Sequence, residues 1–163
     1  MASRLGISGS ERAGVHTVMS EVHDMAVRHD GPRGDHRPGG RTGPHDRALG
    51  RWGEQTAAAH LERLGWQVLE RNWRCDLGEL DLVALDSEHP PTLVFVEVKA
   101  RAGLGYGHPL EAITVAKQQK LRDLAWRWLR EHDPHAARVR IDGIGVLWRP
   151  AGEPEIVHVR GLA

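Results

Sequence analysis

Asn72 to Arg101 reads N-W-R-C-D-L-G-E-L-D-L-V-A-L-D-S-E-H-P-P-T-L-V-F-V-E-V-K-A-R. Two apolar runs, about Glu79 to Leu85 and Leu93 to Lys99, are each the length of a strand and are joined by a loop holding Pro90 and Pro91. Both runs are apolar on both faces, as expected of strands in a sheet covered on each side by helices. Three charged residues, Asp81, Glu97 and Lys99, nevertheless sit inside them. Charge in such a place is costly unless something pairs it.

Alternation puts Leu93, Phe95, Glu97 and Lys99 on one face of the later strand and Val94, Val96 and Val98 on the other. In the earlier strand Glu79, Asp81, Val83 and Leu85 are expected to share a face. Antiparallel pairing then brings Asp81 beside Glu97 at one end of the sheet. Two close carboxylates repel and desolvation raises their pKa values, a balance that a hard divalent cation reverses. Mg²⁺ or Mn²⁺ suits an oxygen set of Asp81, Glu97 and the backbone carbonyl of Val98, because such ions are held by one or two carboxylates plus waters and phosphate. His and Cys at zinc spacing are absent from this region. Lys99 supplies an ammonium to orient the attacking water or to stabilise charge on a phosphate. The set fits in-line hydrolysis of a phosphodiester. The competing reading is a buried Asp/Glu/Lys ion network with no chemistry.

Upstream, the run from about Arg47 to Leu64 predicts a helix, with Asp46 as N-cap and Gly65 as the stop. Leu49, Gly53, Ala57, Leu61 and Leu64 form its apolar stripe. Glu54 lies about 20° from Leu61 around that helix, so it faces inward, either as a rim carboxylate paired with an Arg or as a further candidate ligand, directly or through water. Trp66 to Arg74 reads as an edge or half-buried strand, and Asp76-Leu77-Gly78 as a turn.

Downstream, Ala100 to Pro109 is Gly-rich but lacks the Gly-Lys-Ser/Thr ending of a phosphate-binding P-loop, and is read as a mobile loop beside the site. A long helix is expected from about Leu110 to His132, buried through Leu121, Leu124, Ala125, Trp128 and Leu129 and ended by Asp133-Pro134. Lys117, Lys120 and Arg122, with Arg101 on the loop side, are candidate phosphate contacts, weighed against an ordinary solvated helix surface. Two strands, Arg138 to Trp148 and Glu155 to Val159, close the chain. The order α-β-β-β-α-β-β describes an α/β layered domain.

The 163 residues suit one domain, and 22 Lys+Arg against 22 Asp+Glu argues against a strongly basic nucleic-acid coat protein. Met1 to Asp46 is rich in His, Gly, Arg and Pro and is expected to be a disordered tail ahead of a domain over 47–163. The single Cys75 supports no intramolecular disulfide and is read as an inert thiol. With neither a signal-peptide segment nor a membrane-length apolar run, the default location is the cytoplasm.

Gly53-Glu54, Arg71-Asn72, G-E-L-D-L-V-A from Gly78 to Ala84, V-F-V-E-V-K-A-R from Val94 to Arg101 and K-Q-Q-K-L from Lys117 to Leu121 resemble the YraN family of bacterial proteins. That family is grouped with the restriction-endonuclease-like PD-(D/E)xK superfamily and is similar to archaeal Holliday-junction resolvases. The likeness runs from about Leu49 to the C-terminus. It implies a restriction-endonuclease-like mixed sheet flanked by helices, with Asp81 and Glu97 as metal ligands, Lys99 as the catalytic lysine and Glu54 as an additional helix acid. Gln118 falls where relatives place a helix residue near the site. Leu80 stands where the motif has a variable proline. The activity implied is Mg²⁺- or Mn²⁺-dependent cleavage of DNA in preference to RNA, branched or single-stranded DNA included, with a symmetric homodimer left open. The alternative is a non-catalytic nucleic-acid-binding or interaction module on the same fold.

Overall fold

The computed structural model describes residues 43–102, 110, 113–134, 136–149 and 151–162. Residues 1–42, the bulk of the expected tail, and 103–109 of the Gly-rich loop lie outside the described residues. Helix α1 spans Pro44–Arg63 and is followed by strands β1 (Gln67–Cys75), β2 (Gly78–Asp86) and β3 (Thr92–Ala102). Helix α2 (Val115–His132) leads to β4 (Arg138–Trp148) and β5 (Glu155–Val159). The order α-β-β-β-α-β-β is the one expected.

The five strands form one sheet in the order β1-β2-β3-β4-β5. Every neighbouring pair is antiparallel except β3 and β4, which run parallel over Thr92–Ala102 and Arg138–Trp148. A parallel pair cannot be closed by a tight turn, and α2 makes the crossover. Two apolar layers result. On one face Ala57, Ala58 and Leu61 of α1 pack on Leu82, Val94, Val96, Val98, Ile144 and Val146. On the other Leu121, Leu124, Trp128 and Leu129 of α2 pack on Val83, Leu93, Phe95 and Ile141. The alternation expected along β3 is therefore the alternation observed.

Helix ends differ from expectation in detail. The N-cap of α1 is Gly43, not Asp46; Pro44 takes the first helical position, where its missing N–H costs nothing. Asp46 instead sits three residues in, and its Oδ2 accepts from the Gly43 N–H at 3.1 Å. Gly65, at φ 83°, is the expected stop. Leu64 lies past the last turn and is 45% exposed, so the buried stripe is Gly53, Ala57, Ala58 and Leu61. Helix α2 begins at Val115, not Leu110, because the Thr114 side chain caps it by accepting from the Lys117 N–H. Its five expected core residues are all buried. Cys75 is half-buried against the α2-side layer.

Helix α1 docks on β3 through a position without a side chain. A Cβ added at Gly53 would lie 2.5 Å from the Cβ of Ala100. Neither atom is on a flexible stem, so backbone must move. Alanine in place of glycine normally favours a helix interior by about 1 kcal/mol. Gly53→Ala is nevertheless expected to lower stability by about 1–3 kcal/mol, the scale of overpacking. A rise in thermal midpoint would show that α1 can lift away freely.

Candidate active site

The site forms where β2 and β3 part. Their ladder ends at the pair Leu82–Val96. Just beyond it the Val98 N–H donates to Asp81 Oδ2 at 2.7 Å, so a side chain ties the two strands where backbone pairing has stopped.

Asp81 reaches this position through a slip in alternation. Leu80 and Val83 both belong to the α2-side layer although they are three residues apart, and Leu82 between them belongs to the α1 side. The partner strand keeps its register at this rung but its alternation of faces breaks there too. Glu70 bonds Trp128 of α2, Arg71 bonds Glu62 of α1, and Trp73 is again in the α2-side layer. Between them Asn72 has φ 53°, a left-handed conformation that Asn tolerates better than most residues. Asp81 therefore does not share a regular face with Val83 and Leu85. It leaves the pleat and reaches sideways to β3.

Glu97 is on the α2 side, as alternation required, and only 2% of it is exposed. Its Oε1 pairs with Lys99 Nζ at 2.6 Å and its Oε2 with Lys117 Nζ at 3.0 Å. Burial pushes the Asp81 carboxyl up to about 7, helped by the charges of Glu97 and Glu54; the Val98 hydrogen bond and Lys99 oppose the rise. Glu54, half-buried on α1, thus adds its charge to the site.

The structure brings Asp81, Glu97, Val98 and Lys99 together and adds Lys117 to them. Lys117 was expected on a phosphate-binding surface, and its pairing with Glu97 had no signal within its own helix. Among the described residues no three His, Cys, Asp or Glu side chains converge as a ready-made metal cage. The donors fit a hard cation in a more limited way: two acidic side chains, one deeply buried, offer oxygens only, which is enough for an ion that keeps its waters. Arg101 is half-buried near the end of β3. Gln118 is half-buried in the first turn of α2. Lys120 is exposed over the β1–β2 turn, its Cε 3.1 Å from where a Cβ on Gly78 would lie. Arg122 donates through Nη1 to Gln119 Oε1. These four do not converge on Glu97.

A second polar cluster was not foreseen. Asp142 of β4 is fully buried and accepts from Arg140 Nε at 2.8 Å, Arg140 Nη2 at 3.1 Å and the Gly161 N–H at 3.0 Å. His158 Nε2 lies 2.9 Å from the same carboxylate. Burial alone would raise its pKa, but the bonds from His158, Arg140 and Gly161 outweigh that and hold it below the usual carboxylate range. An Asp before Gly in a β-rich run gave no sign that it would collect these partners.

No helix among the described residues is long and apolar enough to cross a membrane. A sequence model of the uncharacterised protein family UPF0102 matches residues 53–146, which include Glu54, Asp81, Glu97, Lys99 and Lys117. The UPF0102 protein of Beutenbergia cavernae is 56% identical over 115 residues, covering 71% of this chain and 95% of the relative. That of Clavibacter michiganensis is 54% identical over 112 residues, 69% and 92% of the two chains. That of Renibacterium salmoninarum is 51% identical over 114 residues, 70% and 94%. The chain belongs to the UPF0102 family.

Proposed function

We propose that the protein is a divalent-metal-dependent nuclease of the PD-(D/E)xK type that hydrolyses phosphodiester bonds in DNA. The observation that carries this reading is the meeting of Asp81, Glu97 and Lys99 at the point where β2 and β3 part. The order Asp, strand, Glu-x-Lys matches the motif of that superfamily and its resolvase-like branch. Asp81 and Glu97 are the residues to hold Mg²⁺ or Mn²⁺, with the Val98 carbonyl as a further oxygen and Glu54 acting directly or through water. A bound cation would supply Lewis acidity to a phosphate oxygen and lower the pKa of an attacking water. Lys99 stands beside the carboxylate with 34% of its side chain exposed, so its ammonium can reach a solvent-side phosphate and orient the water. Arg101, Lys120 and Arg122, with Gln118, would position the nucleic-acid backbone.

One observation favours a second reading, a nucleic-acid-binding module without catalysis. Both Glu97 oxygens already carry an ion pair. Duplex, single-stranded and four-way-junction DNA incubated with Mg²⁺, Mn²⁺ or excess chelator separate the two. Cleavage of at least one substrate with metal, and none with chelator, is expected. Binding of DNA with no cleavage under any metal supports the second reading. Binding should weaken steeply with salt, because phosphate contacts release counterions.

A further inference from the structure

Lys117 is placed against the grain of its own helix. It is the third residue of α2, and its N–H is one of the first-turn donors, capped by Thr114 Oγ1. The N-terminus of a helix carries partial positive charge and favours acidic side chains. The first turn of α2 has none. What offsets this is Glu97: the Lys117 ammonium sits 3.0 Å from Oε2 of a carboxylate that is 2% exposed.

Glu97 already has a partner in Lys99, 2.6 Å from Oε1 and two residues along the same strand. Lys99 starts from a sheet position fixed on one side by the parallel ladder with β4, where it pairs with Gly145. Lys117 arrives instead on a four-carbon stem from a helix end, and 31% of its side chain is exposed. Either ammonium can swing aside without moving the sheet. Lys99 is the one given the water-orienting role above, so Lys117 is the one that yields its oxygen to a cation. A cation between Asp81 and Glu97 needs a carboxylate oxygen and is repelled by both lysines.

We propose that Lys117 is a resident counter-ion of Glu97, holding the oxygen that a divalent cation takes, so that metal binding expels the Lys117 ammonium from the carboxylate. This rests on the metal-site reading above. Lys117 is a positioning residue: it keeps the buried Glu97 charge compensated and in place while no metal is bound. Without Lys117 the buried Glu97 would keep Lys99 on Oε1 but lose the ion pair on Oε2, at a cost in stability.

Mn²⁺ binding by calorimetry to the wild type, Lys117→Met, Lys117→Gln and Lys117→Arg tests this without reference to cleavage. Lys117→Met and Lys117→Gln are expected to bind Mn²⁺ about tenfold more tightly, the scale of removing one unit charge from beside a divalent ion in a solvent-rich site. Lys117→Arg should stay near the wild type. Without metal, the Met and Gln variants should melt at a lower temperature than the wild type, and Mn²⁺ should raise their midpoints more than it raises that of the wild type. Wild-type binding with unchanged or weaker affinity in both neutral variants overturns the counter-ion role alone. No Mn²⁺ binding by any of the four proteins overturns the role and the metal-site reading together.

Discussion

Asp81→Asn is expected to abolish metal-dependent DNA cleavage and, in the same protein, to raise stability at pH 8. The first effect follows, on the proposed metal-site reading, from the loss of an anionic oxygen. Its magnitude should match or exceed the 10²–10³-fold, roughly, that one transition-state donor contributes. Lys99→Ala, which removes such a group while leaving both carboxylates in the chain and Lys117 on Glu97, is expected to fall in that range. The second effect follows from the direction of the Asp81 shift. Folding raises this carboxyl from 3.8 to about 7. The group therefore favours the folded state fully below the ordinary carboxylate pKa, and that contribution is lost as pH rises toward 7. At pH 8 the wild type holds an ionised carboxylate in a site that disfavours it. With allowance for the solvent-open side of Asp81, relief of that cost is worth about 2 kcal/mol. The side-chain oxygen of Asn can still accept the Val98 N–H. Thermal midpoints at pH 8 and pH 5 check this: the variant should gain on the order of 5 °C or more at pH 8, and less at pH 5. A variant that is less stable at both pH values, or that still cuts at the wild-type rate, contradicts the role given to Asp81.

Asp142→Ala is expected to produce the largest loss of stability of any single change outside the apolar layers. Asp142 gathers both Arg140 contacts, His158 from β5 and the Gly161 N–H into one buried carboxylate. Its removal leaves Arg140 with Asp86, at 3.7 Å, as its remaining carboxylate beside the Trp66 ring, and takes one of the bonds, that of the Gly161 N–H, from the chain end. Breaking a buried pair by deleting one partner costs about 3–5 kcal/mol. Arg140 is 23% exposed by its side chain, so the lower end, about 3 kcal/mol, applies. That corresponds to a fall of roughly 10–20 °C in the midpoint for a domain of this size. Because the folded-state pKa of Asp142 is depressed, its contribution is present above the ordinary carboxylate range and is lost as pH falls through the depressed value. The difference between wild type and variant should therefore narrow in strong acid. Denaturation curves at pH 7 and pH 3 measure it, and a midpoint change of only a degree or two at pH 7 would remove Asp142 from the structural core. DNA cleavage at low temperature should persist in the folded fraction, because the Asp142 carboxylate touches none of Asp81, Glu97 or Lys99.

Most of the fold was legible because β3 and α2 are periodic. Leu93, Phe95, Glu97 and Lys99 alternate without interruption, and the Leu121–Leu129 stripe repeats at helical spacing, so faces could be assigned by counting. Counting failed at Asp81, where the period of two is broken by a left-handed residue on the partner strand. Nothing in the β2 sequence records that break. Lys117 was visible as a basic helix residue, yet its partner lies on another element and only the crossover from β3 to β4 brings them together. Asp142 was hidden for the same reason: its value comes from Arg140, His158 and Gly161, whose meeting depends on how β5 returns along β4. Gly53 read as one small residue in an apolar stripe, whereas its role is set by Ala100, 47 positions later in the chain.

The left-handed Asn72 also governs which hairpins this chain can refuse. On one side of that rung Glu70 and Val83 must point toward α2; on the other side Trp73 and Leu80 must do so. A uniformly pleated β1–β2 hairpin can satisfy one half only, and would turn the other half's apolar residues toward the wrong layer. Mispaired hairpins are thus penalised once the two helices cover the sheet. One residue in an unusual backbone state lets Glu70 and Trp73 face the same helix within a single unbroken register.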